Sequence, residues 1–415
     1  MTAEPSHNSF RGLGIAPGIL DALDHMKFTT PTPIQHQAIP IANEGKDVLG
    51  IAQTGTGKTL AFGIPMVQLL ARAPGRALIV VPTRELALQV DDTIRKIGQP
   101  FNIRSVIVIG GMSMDTQIQV VRKNTTRILI ATPGRLLDHL ERKTIQLADI
   151  KMVVLDEADR MLDMGFAPQI QRIARYLPKQ RQTLLFSATM PDAVLSLATA
   201  YMKLPIRVEI ARSGSAPEKI AQELFIVRQD AKKRLLATLL KQYQGSVLVF
   251  ARTKMSAKKI TRMLRDAHFT AGEIHSNRSL GQRREALEGF KTGRYRVLVA
   301  TDIASRGIDV KGIELVINYD LPEESENYVH RIGRTGRAGL EGRAISFATP
   351  DQGDNVRDIE KLIRAALRVS SHPEFPSESF SRSNGPHPQP PKHRPQHFSH
   401  KPPHPRHRAQ RRYRF

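Results

Sequence analysis

The chain has 415 residues, 40% of them hydrophobic, which is enough to fill the cores of two or three domains and excludes a single small one. It has no cysteine, so disulfides, thiolate metal sites and cysteine nucleophiles are excluded, and 62 Lys and Arg against 39 Asp and Glu give a net charge of +23 that points to a polyanionic partner. No basic-then-apolar leader opens it and no apolar run of about 18 residues occurs, so a cytoplasmic protein without membrane association is expected.

Short apolar runs recur along residues 1–210, each closed by small or polar residues: DVLGIAQT, ALIVVPTR, VIVIGG, ILIATPGR, VVLDEAD and LLFSAT. Helical patterns separate them, which predicts an α/β domain with buried parallel strands and crossover helices. Residues 211–218, within ARSGSAPEK, have linker composition. A second series, VLVFART, VLVATD, LVINYD and AISFAT, predicts a second α/β domain over residues 219–370, and RILIAT at Arg127 echoes RVLVAT at Arg296 as two copies of one architecture would.

From residue 371 to 415 the chain is rich in Pro, Ser, His and Arg and poor in aliphatics, so a disordered basic tail is expected. The tail carries nine Lys and Arg against two Glu, leaving +16 on the part before it, so the folded part is basic in its own right. Half of the 14 histidines lie in the tail without regular ligand spacing, which favours a cationic arm over a metal site.

AQTGTGKT, comprising Ala52, Gln53, Thr54, Gly55, Thr56, Gly57, Lys58 and Thr59, follows an apolar run and precedes LAFGIPMVQLLA. That is the order strand, phosphate loop, helix. The glycines let backbone amides close around phosphates, Lys58 reaches the outer phosphates, and Thr59 offers a hydroxyl to Mg²⁺. A glycine-rich turn without a ligand is the alternative, and the flanking pattern speaks against it.

Asp156, Glu157 and Asp159 follow the run Val153 to Leu155, so they emerge at a strand's carboxyl end, where doubly wound sheets bind ligands. Asp156 would hold Mg²⁺ and Glu157 would orient or deprotonate the attacking water. An acidic helix start with no chemistry is the competing explanation, but it requires no phosphate loop upstream.

These residues resemble the DEAD-box family of ATP-dependent RNA helicases, whose name Asp156, Glu157, Ala158 and Asp159 spell, and motifs similar to that family's run in order from about Phe10 to Thr349. The resemblance implies two tandem RecA-like domains, with ATP and Mg²⁺ as cofactors and Lys58, Asp156, Glu157, Arg334 and Arg337 as catalytic groups. It implies that Phe28 and Gln35 recognise adenine and that Asp309 contacts the ribose. RNA contacts are implied for Pro82, Thr83, Arg84, Gly110, Gly111, Thr132, Pro133, Gly134, Arg135, Arg252, Arg283 and Thr301. Coupling of nucleotide state to RNA grip is implied for Asp159, Ser187, Thr189 and His330.

The first-domain RNA set offers hydroxyls, guanidinium groups and bare amides, suited to phosphate and sugar oxygens, so recognition should be largely independent of sequence. Residues and spacing alone do not separate RNA from DNA. One departure stands out: Leu280 occupies the position of a family glutamine three residues before Arg283, and Gln282 could replace it only if the register slips. The tail, read as an electrostatic tether, makes the chain similar to the bacterial RhlE-like branch. Its expected partners are RNA and ribosome precursors or decay complexes, bound by a monomer. Local RNA unwinding is the implied activity, and an ATP-gated RNA clamp or a DNA translocase are the alternatives.

Overall fold

The structure is a computed structural model that describes residues 9–53, 55–122, 126–210, 220–302, 310, 312–336 and 341–381; Thr54, the linker 211–218, Asp309, Arg337 and residues 382–415 of the tail lie outside them. The first lobe opens with α1 (Pro17–His25) and α2 (Pro33–Asn43), then β1 (Val48–Ile51), α3 (Lys58–Arg72), β2 (Arg76–Val80), α4 (Arg84–Gly98) and β3 (Arg104–Val108). It continues through α5 (Met114–Arg122), β4 (Thr126–Ala131), α6 (Pro133–Glu141), β5 (Ile150–Leu155), α7 (Ala158–Asp163), α8 (Ala167–Ala174), β6 (Gln182–Ser187), α9 (Asp192–Tyr201) and β7 (Ile206–Glu209). The second lobe runs β8 (Ile220–Ile226), α10 (Lys232–Gln242), β9 (Val247–Phe250), α11 (Lys254–Asp266), β10 (Ala271–Ile274), α12 (Leu280–Lys291), β11 (Val297–Ala300) and β12 (Leu315–Asn318). It ends with α13 (Ser325–Ile332), β13 (Gly342–Ala348), α14 (Gly353–Ile363) and β14 (Arg368–Val369).

The two sheets have strand orders β3-β4-β2-β5-β6-β1-β7 and β10-β11-β9-β12-β13-β8-β14. Each strand of the second takes the place of the one seven earlier in the first, and every pairing is parallel. The echo of RILIAT in RVLVAT is thus β4 and β11 in equivalent positions. Alternation along each strand splits the cores: Ile79, Ile130 and Val154 face α2, α3 and α4, while Leu78, Leu129 and Val153 face α6, α8 and α9. In the second lobe Val249, Val299 and Ile317 pack with α10 and α11, and Leu248, Leu298 and Val316 with α12.

Because the strands are parallel, their carboxyl ends share one edge of each sheet, and the sequence motifs follow those ends. Both sheets belong to one compact unit that ends at Phe380. The second lobe reaches beyond residue 370: Phe375, expected in a disordered tail, is buried in the core of α10 and β9, Glu378 N donates to Ile226 O at 2.8 Å, and Phe380 packs on the cluster of α13 and α14. Composition averaged over the tail hides these two rings, which supply enough apolar surface to dock the segment around them.

Candidate active site

Gly57 precedes α3 with φ 83°, a left-handed conformation, and a Cβ there would overlap Gln35 Nε2, so only glycine closes the phosphate loop at this point. Gln35 Nε2 donates to Gly57 O at 3.0 Å and Gln35 Oε1 accepts from Thr32 N at 2.9 Å, while Thr32 Oγ1 donates to Thr56 O at 2.7 Å. The adenine element and the phosphate loop therefore form one hydrogen-bonded unit, with one amide proton and one lone pair of Gln35 left over. Phe28 is 40% exposed beside it, an apolar ring left on the surface. Lys58 Nζ, nearly buried, donates back to Ala52 O at 2.9 Å, Thr56 Oγ1 donates to Gln53 O at 2.7 Å, and Thr59 lies half-buried in the first turn of α3.

The neighbouring acids sit where β5 ends. Asp156 N donates to Val80 O at 3.0 Å, and Glu157 adopts φ 52° and ψ 51°, a left-handed turn that costs a non-glycine residue on the order of 1 kcal/mol or more. Asp156, Glu157 and Asp159 are all buried. Burial pushes the Asp156 carboxyl up to about 7; Glu157 and Asp159 reinforce this, and Lys58 opposes it. The buried charge is unbalanced in the sense that a divalent cation corrects. Buried carboxylates at a strand end, with Lys58 of the phosphate loop acting on Asp156, are hard oxygen donors of the kind that suit Mg²⁺, an ion that keeps several waters and shares phosphate oxygens with one or two carboxylates.

Asp159 ties this turn to the end of β6. Its Oδ2 accepts from Ala188 N at 3.2 Å, Thr189 N at 2.9 Å and Thr189 Oγ1 at 3.0 Å, and Asp159 N donates to Ser187 Oγ at 3.2 Å. Movement of the acid turn and of the Ser-Ala-Thr turn is thereby coupled.

Arg160, adjacent to these acids, crosses to the second lobe: its guanidinium donates to Asn327 Oδ1 at 2.6 Å, and also reaches Asp163 Oδ2 at 3.2 Å. Asn327 lies on α13 one turn before His330, so the helix that opens HRIGRTGR meets the acid turn directly. Arg331 anchors that helix: Nε and Nη2 donate to the two Asp302 oxygens at 2.6 Å each, Nη1 reaches Asp320 O at 2.6 Å, and the guanidinium lies 5.0 Å from the Phe250 ring centre. Arg334 follows within a turn and is buried, His330 Nδ1 is buried without a partner among the described residues, and Arg337 and Asp309 lie outside them.

A second contact joins the lobes. Arg283 Nη2 lies 2.7 Å from Glu85 Oε2, both residues are buried, and the pair is aligned too poorly to count as a hydrogen bond. Arg283, expected among the RNA contacts, is thus engaged by the first lobe. Desolvation pushes the Glu85 carboxyl up, against the pull of Arg283. Leu280, one turn before Arg283, packs against the first-lobe core that contains Leu86. Gln282 does not stand in for the missing glutamine: its Oε1 accepts from Ser279 N at 3.0 Å, closing the capping box of α12.

The remaining expected contacts line the strand ends. Thr83 Oγ1 accepts from Leu86 N at 3.2 Å, and the Arg84 guanidinium lies over Gly110 and Gly111, where a Cβ on Gly111 would strike it. Pro82 and Pro133 are buried beside them, and Thr132 N donates to Val108 O at 3.1 Å. Arg135 Nη1 donates to Met112 O at 3.0 Å, and Gly134 lies beside it in the first turn of α6. In the second lobe Arg252 N donates to Asp320 Oδ2 at 2.9 Å with its side chain exposed, and Thr301 follows β11. Arg160, Glu85, Asn327 and Arg331 are absent from the sequence-based set. Helical spacing marks Arg331, which shares a face with Tyr328 and Ile332, but nothing marks the other three as partners across lobes.

Two parallel sheets of one strand order, with a phosphate loop on the first and the helix of the second that leads to Arg334 against its acid turn, are the architecture of a tandem RecA-like nucleoside triphosphatase. Residues 32–197 match the DEAD/DEAH box helicase family and residues 231–339 the helicase conserved C-terminal domain. The chain belongs to the DEAD/DEAH box helicase family. It is 41% identical over 382 residues to the ATP-dependent rRNA helicase RRP3 of Debaryomyces hansenii, covering 91% of this chain and 79% of that one. It is 42% identical over 370 residues to the DEAD-box ATP-dependent RNA helicase RhpA of Helicobacter pylori, covering 88% and 74%. Among solved structures it resembles Saccharomyces cerevisiae Dbp5 bound to RNA and ADP BeF3, with TM-score 0.78, 32% identity and coverage of 88% of this chain and 95% of that one.

Proposed function

We propose that this ATP-dependent RNA helicase binds ATP between its lobes and an RNA strand across the strand-end edges, and uses hydrolysis to release the strand after locally separating a short duplex. The observation that carries this reading is the Arg160–Asn327 hydrogen bond, which brings the acid turn of one lobe against the helix of the other that leads to Arg334. Lys58 and the loop amides hold the outer phosphates, Phe28 and Gln35 the adenine, and Asp309 the ribose. Asp156 and Thr59 would hold Mg²⁺, which supplies charge neutralisation on the phosphate oxygens. Glu157 orients and deprotonates the attacking water, and Arg334 and Arg337 stabilise the charge that develops on the transferred phosphoryl group. Asp159 with Ser187 and Thr189 carries the change at the acid turn to the RNA edge, with His330 as their counterpart.

Thr83, Arg84, Gly111, Gly134, Arg135, Arg252 and Thr301 provide phosphate and sugar contacts without reading bases. The rRNA helicase name of the RRP3 relative supports ribosome precursors as the substrate class, with RNA-decay complexes as the other setting, and the enzyme is taken to act as a monomer in the cytoplasm. The basic tail supports a place in the RhlE-like branch. RNA-stimulated phosphate release together with strand separation on a short duplex tests the reading. RNA binding with neither would leave a clamp, and equal stimulation by DNA would leave a DNA translocase.

A further inference from the structure

Some surface cations in this protein pair with acids on the same helix. On α4 Asp91 pairs with Arg95 and Asp92 with Lys96, and on α14 Asp354 pairs with Arg357 and Asp358 with Lys361. Helices α10 and α11 differ from these in having a cation excess, and of the two α11 sets its cations in an exposed row. Its sequence, KMSAKKITRMLRD, has five cations and a single acid, and the acid is the last residue, 4.0 Å from Arg262. Lys254, Lys258 and Arg262 follow one another at i,i+4, and Lys259 and Arg262 at i,i+3, all exposed. Like charges at these spacings destabilise a helix, and lysines in its first turns oppose the helix dipole. The arrangement works against the helix itself, although Ala257, Ile260 and Leu264 on the other face would pack equally well with acids outside.

The position of α11 identifies what the charges face. Thr253 caps the helix, accepting from Ser256 N at 3.0 Å, and the exposed Arg252 precedes it at the carboxyl end of β9, on the edge where the RNA motifs gather. From there the cations recede from the edge in steps of about 6 Å, four residues at ~1.5 Å each, a spacing comparable to that of successive phosphates on one strand. Met255 is the only large apolar side chain exposed on this helix, so the face lacks the apolar centre that a protein partner needs.

We infer that the outer face of α11 is a second RNA contact, a track for the phosphate backbone of RNA that continues beyond the cleft. The helicase then grips a longer stretch of RNA than the strand lying across its two sheets, and the extra grip depends on salt and not on nucleotide. This inference rests on RNA occupying the cleft, and a short oligonucleotide reports on that separately.

The test uses the full chain and two RNAs, a single strand just long enough to cross the cleft and a hairpin carrying the same strand as an extension. The variants are Lys258→Glu/Lys259→Glu/Arg262→Glu and its neutral counterpart Lys258→Gln/Lys259→Gln/Arg262→Gln. Charge reversal is expected to weaken hairpin binding about tenfold or more and to flatten the slope of log K against log salt by about 2, at ~0.7 to 0.9 per lost phosphate contact. Short-strand binding and ATP hydrolysis at saturating short strand should stay at the parent level. An unchanged salt slope on the hairpin overturns the inference, whether or not the variant loses affinity for an acidic polypeptide such as polyglutamate. If the reversed variant melts early, the neutral one decides by the same slope. Loss of short-strand binding by the unaltered protein would instead refute the cleft assignment.

Discussion

Arg160 and Asn327 lie in different lobes and share a 2.6 Å hydrogen bond, with Arg160 one residue past the acid turn and Asn327 one turn ahead of His330. The bond is buried and charged on one side, so its loss should cost roughly 1.5 to 3 kcal/mol in whatever state contains it. Arg160→Ala is therefore expected to lower RNA-stimulated ATP hydrolysis roughly 10- to 100-fold. Nucleotide affinity of the first lobe should change little. A fluorescent nucleotide titration beside steady-state phosphate release checks this; equal losses in both would assign Arg160 to the first lobe alone.

Glu85 and Arg283 make the other crossing, and removal of one partner strands the other in a desolvated site, at about 3 to 5 kcal/mol. Arg283→Met should raise the RNA concentration needed for half-maximal ATPase by tenfold or more. Pairing it with Glu85→Gln should restore much of that loss, since no charge is then left unpaired. A double-mutant cycle on RNA affinity measures the coupling, and additive effects would mean that the pair is not formed in the RNA-bound enzyme.

Tyr328 buries its hydroxyl on α13, donating to Gln222 Oε1 at 2.9 Å, and burial pushes its ionisation up to about 12 from 10.0. An unfolded tyrosine releases its proton near pH 10 while the folded one keeps it, so the native state binds more protons across that window. The stabilisation is whole below about pH 10 and is lost as pH rises toward 12, by at most about 3 kcal/mol. Chemical denaturation at pH 9 to 11 should show a decline that Tyr328→Phe reduces.

Phe375 is 5% exposed, so the place where the tail is cut matters. A chain ending at residue 381 should melt with the full protein, whereas one ending at 370 should lose about 2 to 5 kcal/mol from Phe375 and Phe380 together. Both should show a flatter salt dependence of RNA binding, because the basic residues follow 381. Differential scanning calorimetry and salt titrations separate the two effects.

The strand series was legible because parallel strands buried on both faces are nearly uniform in apolar residues, as in β2, β4 and β5. The strands that escaped are β7 (IRVE), β8 (IAQELFI), β10 (AGEI) and β14 (RV), which lie at or next to sheet edges and carry polar residues. The placement of motif residues at strand ends was legible because each follows directly on an apolar run. Glu85 was not, since an acid inside PTRELA has no role until Arg283 arrives from a segment about two hundred residues away, and spacing within one chain segment does not encode such pairs. Leu280 read as a lost polar contact because its partner surface, the first-lobe core, is not local in sequence.

In the proposed reaction the site is completed only when both lobes meet, with Glu157 from one and Arg334 from the other acting on a single bound ATP. Single-turnover hydrolysis at saturating RNA with Arg334→Ala, alongside nucleotide binding by the same variant, tests it most directly. A fall of at least ~10³ in the hydrolysis step is expected, with nucleotide affinity held within a few-fold. Hydrolysis at the parent rate with Arg334 removed would contradict it.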